Sequence, residues 1–223
     1  MVRSLVRVRP LLAAALGLVL AITAAADPAH WAGEIDVLTR DDAAHPPPSR
    51  GIVFVGSSSI RFWDSLAADF PGRPVIRRGF GGSELADSVY YFDRIVLPYH
   101  PATVVVYAGD NDIAAGKSPE TVANDFRALV ARTHATLPDT RVLFIAMKPS
   151  PSRWHLHEQY ERGNRLIADQ CAADPLLAFV DVWSAMLDAK GQPRPELFRP
   201  DMLHMKPAGY AIWVRLLTPL LPP

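Results

Sequence analysis

The chain has 223 residues, 49% of them hydrophobic, which suits one domain with a sizeable core. Lys plus Arg and Asp plus Glu balance at 23 each with no basic block, so nothing in the charge favours nucleic acid or an anionic membrane surface as a partner. Cys171 is the single cysteine, which excludes an intrachain disulfide and a CxxC metal knuckle; in an apolar helical segment it reads as a small core residue.

In chain order, Arg3, Arg7 and Arg9 precede an apolar stretch from Leu11 to Ile22 and the small residues Ala24-Ala25-Ala26. Charge, length and cleavage chemistry predict a signal peptide over residues 1–26, cleaved near Ala26, and with it a secreted or periplasmic protein. An uncleaved anchor is the alternative, although the stretch is short for a membrane span. No cysteine follows it to carry a lipid, so no stable membrane anchor is expected after cleavage.

Asp27-Pro28 has the form of an N-cap followed by Pro at the first helical position, and Trp31, Ile35 and Leu38 form the stripe of a short helix. Residues 41–50, with Pro46-Pro47-Pro48, cannot stay helical. Residues 27–50 thus read as a helix and Pro-rich linker ahead of a domain over 51–223.

From there short apolar runs alternate with helical segments. Strands are predicted at Ile52 to Val55, Val75-Ile76, Thr103 to Tyr107, Val142 to Ala146 and Ala178 to Val182. Helices are predicted from Ile60 to Phe70, Glu84 to Val96, Ser118 to His134, Glu158 to Ala172 and Pro207 to Leu217. Continuous β-branched runs of this kind belong to a parallel sheet buried on both faces, which predicts a three-layer α/β/α sandwich with five parallel strands. In the order 2-1-3-4-5, the first strand lies at the switch point, and residues just past strands 1, 2 and 3 share one edge.

Those residues carry chemistry. Ser58, in Gly56-Ser57-Ser58-Ser59, sits at a strand–helix junction, where a serine is either a nucleophile or a helix cap. Gly79-Phe80-Gly81-Gly82 lacks the third glycine of a dinucleotide fingerprint, Glu84 standing in its place, but lets backbone approach a ligand closely. In Gly109-Asp110-Asn111-Asp112, Asn111 can donate its amide to an oxyanion, while Asp110 or Asp112 is expected to order the turn. Asp201 and His204, three apart in a loop before the last helix, can pair so that the carboxylate fixes the imidazole tautomer. His155 and His157 do not share a helix face, and no carboxylate pattern supports a zinc site there.

Taken in order, these four stations resemble blocks I, II, III and V of the SGNH/GDSL hydrolase family, over residues from about Gly51 to the C-terminus. The resemblance implies a flavodoxin-like fold and a Ser58, His204 and Asp201 triad. Its oxyanion hole would be the backbone N–H groups of Ser58 and Gly82 with the Asn111 amide, and no metal or other cofactor is implied. One departure is visible: the Asp of the Gly-Asp-Ser motif is Ser57 here, which bears on the stability of the turn more than on activity. The implied reaction is acyl transfer to water from a small-molecule, lipid or carbohydrate ester, as in a carboxylesterase, deacetylase or lysophospholipase. An O-acyltransferase acting on envelope sugars and a non-catalytic carbohydrate-binding module are the alternatives. The segment Lys148 to His157, with Trp154, is expected to wall the substrate pocket.

Overall fold

The structure, a computed structural model, describes residues 27–222; the predicted signal peptide lies outside them. The sheet comprises β1 (Ile52–Gly56), β2 (Val75–Gly79), β3 (Thr103–Tyr107), β4 (Arg141–Ile145) and β5 (Leu177–Val180). All neighbours pair in parallel in the order β2-β1-β3-β4-β5, so β1 lies at the switch point. Gly56 pairs with Gly79 on one side and Tyr107 on the other, which ends three strands at one level.

Alternate strand residues feed two cores. Val53, Val55, Val104, Val106, Val142 and Phe144 face one helical layer, and Ile52, Phe54, Val105, Tyr107, Leu143 and Ile145 face the other. This is the period of two that a strand imposes, and because both faces are covered the strands read as unbroken apolar runs. The first layer contains α1 (Ala32–Thr39), α4 (Leu85–Tyr90), α5 (Phe92–Ile95), α7 (Pro119–Thr136) and α8 (His157–Ala172). The second contains α2 (Ser58–Arg61), α3 (Leu66–Asp69) and α9 (Pro207–Leu217), and α6 (Asp110–Ala114) follows β3. Cys171 is buried in the first core, where desolvation pushes its thiol up to about 12.

Several predicted elements differ, among them the second strand, expected over Val75-Ile76, which runs on to Gly79. The helix expected from Ile60 to Phe70 breaks between α2 and α3, because Trp63 turns fully into the core and donates Nε1 to Asp69 Oδ2 at 2.6 Å. The helix expected from Glu84 to Val96 bends at Tyr91 (φ −88°, ψ 7°), giving α4 and α5. The fifth strand stops at Val180, where Asp181 Oδ1 accepts the Trp183 N–H at 2.9 Å and turns the chain.

Residues 27–50 are fastened to the sheet domain. Pro28 to Trp31 form a 3-10 turn ahead of α1, and Tyr91 Oη donates to Pro28 O at 2.7 Å. Asp36 pairs with Arg94 at 2.7 Å and Asp42 with Arg78 at 2.6 Å.

Candidate active site

The site begins with a turn only glycine can make. Gly56 has φ +132°, and a Cβ there would lie 1.9 Å from Tyr107 O. Ser57 is then extended and buried, its N–H donating to Tyr107 O at 2.9 Å, and Ser58 is the first residue of α2. The Ser57 hydroxyl has no partner among the described residues. Its carbonyl holds the turn, accepting the Ile60 and Arg61 N–H groups at 3.0 and 3.1 Å. The serine in place of the motif's Asp therefore leaves the turn held through its backbone.

His204 reaches Ser58 from the loop before α9. Met202 adopts φ +56°, and Arg199 donates its N–H to His204 O at 2.7 Å, which closes the loop on itself. Asp201 Oδ1 accepts the N–H groups of Leu203 and His204, each at 2.9 Å. Its Oδ2 lies 2.7 Å from His204 Nδ1, and His204 Nε2 lies 3.1 Å from Ser58 Oγ. A carboxylate on Nδ1 assigns the proton to that nitrogen and leaves the Nε2 lone pair facing the serine hydroxyl. Burial raises the Asp201 carboxyl, but the His204 hydrogen bond and the two backbone N–H groups outweigh it and bring it down to about 2.

Asn111 follows Gly109, whose φ of +104° turns the chain out of β3. Its amide is held at both ends: Oδ1 accepts from Arg153 at 3.0 Å and Nδ2 donates to Ser83 O at 3.0 Å. One Nδ2 hydrogen is left over. Gly82 is its neighbour, since a Cβ added there would lie 3.9 Å from that nitrogen. The N–H groups of Ser58 and Gly82 meet no acceptor among the described residues. A cavity of about 360 Å³ borders Gly82, lined also by His30, Trp31, Glu84 and Asp87.

The acids flanking Asn111 do more than the local turn-ordering expected of them. Asp110 is buried, accepting from Tyr107 Oη at 2.8 Å and Lys148 Nζ at 3.1 Å. Desolvation opposes its charge, but Lys148 and Arg153 hold its carboxyl below the usual range. Asp112 reaches 27 residues back to accept the Leu85 N–H, at 3.1 Å through Oδ2, and pairs with Lys117 at 3.1 Å. Burial nevertheless pushes its carboxyl up to about 6.

Arg153, Lys148 and Phe62 were not singled out from the sequence for these roles. Phe62 meets His204 edge-on, with ring centroids 4.9 Å apart. Trp154 lies in a 3-10 segment, Pro151–Leu156, whose Ser152 donates N–H and Oγ to Met202 O, so this segment abuts the loop carrying His204. The Trp154 ring stacks on His157 and Trp183, with centroids 4.5 and 5.9 Å away. Among the described residues, no three His, Cys, Asp or Glu side chains are grouped to hold a metal ion.

The profile of the GDSL-like Lipase/Acylhydrolase family matches residues 49–212, so the chain belongs to that family and is a serine ester hydrolase. No curated relative matches the sequence. Among solved structures, a protein from Streptococcus pneumonia superposes with TM-score 0.75 at 19% identity, covering 84% of this chain and 91% of that one. A GDSL-like lipase from Bacteroides thetaiotaomicron gives 0.68 at 21%, covering 87% and 96%. A catalytic mutant of an acetylxylan esterase from Geobacillus stearothermophilus gives 0.62 at 16%, covering 77% and 94%. At these identities the likeness establishes the α/β fold.

Proposed function

We propose that the chain cleaves short-chain carboxylic esters through a Ser58 acyl-enzyme. The observation that carries this reading is the unbroken line from Asp201 Oδ2 to His204 to Ser58 Oγ, at 2.7 and 3.1 Å. His204 takes the Ser58 proton as Oγ attacks the ester carbonyl, then delivers it to the departing alcohol. The tetrahedral oxyanion is held by the N–H groups of Ser58 and Gly82 and the free Asn111 amide hydrogen. Water attacks the acyl-enzyme with His204 again as base, releasing the acid and restoring Ser58.

The acetylxylan esterase on the same fold supports a small acyl group carried on a hydroxylated alcohol. Trp154, in the 3-10 segment beside the His204 loop, walls the outer part of the substrate site in this reading. The test is turnover of p-nitrophenyl acetate, butyrate and octanoate by the wild type, Ser58→Ala and Trp154→Ala. Rates should fall with acyl length, vanish with Ser58→Ala, and change in ratio with Trp154→Ala. Activity that survives Ser58→Ala would reject the nucleophile, a preference for octanoate would reject the short acyl group, and unchanged ratios would reject the Trp154 wall.

A further inference from the structure

Residues 27–48 precede the segment matched by the family profile, yet they are built onto the turn that carries Gly82. Glu34 Oε1 accepts the Gly81 N–H at 3.0 Å and lies 3.1 Å from Arg61 Nε. One carboxylate thus joins the glycine turn to α2, the helix that opens with Ser58. Trp31 meets Phe80 edge-on, with centroids 5.8 Å apart, and donates Nε1 to Asp87 Oδ2 at 3.1 Å. The same Asp87 oxygen accepts the Glu84 N–H at 2.8 Å, in the capping box of α4.

Gly81 itself is shaped by this contact. Its φ is +36°, and a Cβ would lie 1.9 Å from the Trp31 ring, so the indole fills the place where a side chain would stand. Gly82 follows with an N–H that meets no acceptor among the described residues. It is tethered before by Glu34 on Gly81 and after by Asn111 on Ser83. A turn with three glycines in four residues has many backbone states, whereas an oxyanion donor must sit within a few tenths of an ångström of its position.

We propose that Glu34 and Trp31 are positioning residues that aim the Gly82 N–H at the oxyanion, making this N-terminal segment a working part of the active site. The inference rests on the Ser58 reading above. Glu34 acts by fixing the turn against α2, and Trp31 by occupying the space beside Gly81. Neither touches the reacting atoms. A segment that merely packed there would contribute to folding and leave the rate per folded molecule unchanged.

The experiment is kcat and KM for p-nitrophenyl acetate in E34A, E34Q and W31F, each normalised to the active sites that an organophosphate titrates. Deleting a whole oxyanion donor costs on the order of 100- to 1,000-fold, so E34A should lower kcat per site by about 10-fold or more with KM nearly unchanged. E34Q keeps an oxygen for the Gly81 N–H and should recover most of that loss. W31F keeps an aromatic ring against Phe80 but loses the bond to Asp87, and should lower kcat several-fold. Should E34A not fold, E34Q and W31F decide, through a kcat loss larger in W31F. Per-site kcat within about 2-fold of wild type in E34A, or in W31F when E34A does not fold, overturns the proposal, even if the melting temperature falls. A wild type whose activity is untouched by organophosphate would instead reject the Ser58 reading, so the two failures are distinct.

Discussion

At Asp201 both carboxylate oxygens are committed, one to two backbone N–H groups and the other to His204 Nδ1. The backbone pair fixes the carboxylate, and the carboxylate fixes the ring. Because this acid titrates at about 2, below the ordinary carboxylate value, its contribution is fully present above about pH 4 and is lost only as pH falls through its native value. Asp201→Asn places an amide N–H or a weaker acceptor against Nδ1 and disturbs the tautomer that leaves Nε2 free. It should lower kcat by roughly 100- to 10,000-fold at pH 8, where the wild-type carboxylate is fully charged. Turnover of both proteins at that pH checks this; a loss smaller than about 10-fold would show that the carboxylate does not fix the tautomer. Asn111 is governed the same way, by Arg153 and Ser83 O, and the sequence hid that constraint. The five candidate residues were legible because each sits in a short motif beside a strand end or within its own loop. Arg153 is 42 residues from Asn111, and Glu34 is 47 from Gly81, so their roles exist only once the chain is folded.

At the scale of elements, the ends of β1, β2 and β3 do the aiming. Gly56 ends β1 against Tyr107 O, and Gly79 ends β2 where a Cβ would lie 2.3 Å from Arg61 N. Gly56→Ala would force a side chain into the β3 backbone at a φ that L-residues rarely hold. It should cost at least about 3 kcal/mol of stability, read by urea denaturation, and displace Ser58 in whatever still folds. A cost below about 1 kcal/mol would show that this turn is softer than its contacts indicate. The helix after Ser58 shows where pattern reading stops. Ile60, Trp63, Leu66 and Phe70 recur at a helical period, and on that ground Ile60 to Phe70 reads as one helix. All four are buried, but Trp63 lies between Phe54, Tyr210 and Trp213 and bonds Asp69, which opens the helix at its second turn. The same break presents Phe62 to His204.

At the scale of the molecule, parallel order explains why stations scattered over 147 sequence positions (Ser58 to His204) meet. With β1 between β2 and β3, the segments bearing Ser58, Gly82 and Asn111 emerge side by side, and the loop before α9 brings His204 onto Ser58. That much followed from strand order and motif position. The N-terminal segment did not, because a Pro-rich stretch reads as a linker, whereas Arg78, Arg94 and Tyr91 bind it down from positions 36 to 63 residues away. Ser58 is the proposed nucleophile at this junction. The most direct measurement is mass spectrometry of the protein after reaction with a fluorophosphonate, with peptide mapping of the adduct. One phosphonyl group per chain, on Ser58 and absent from Asp201→Asn over the same short exposure, is the predicted result. An adduct on Ser57, Ser59 or another residue, with Ser58 unmodified, would contradict it.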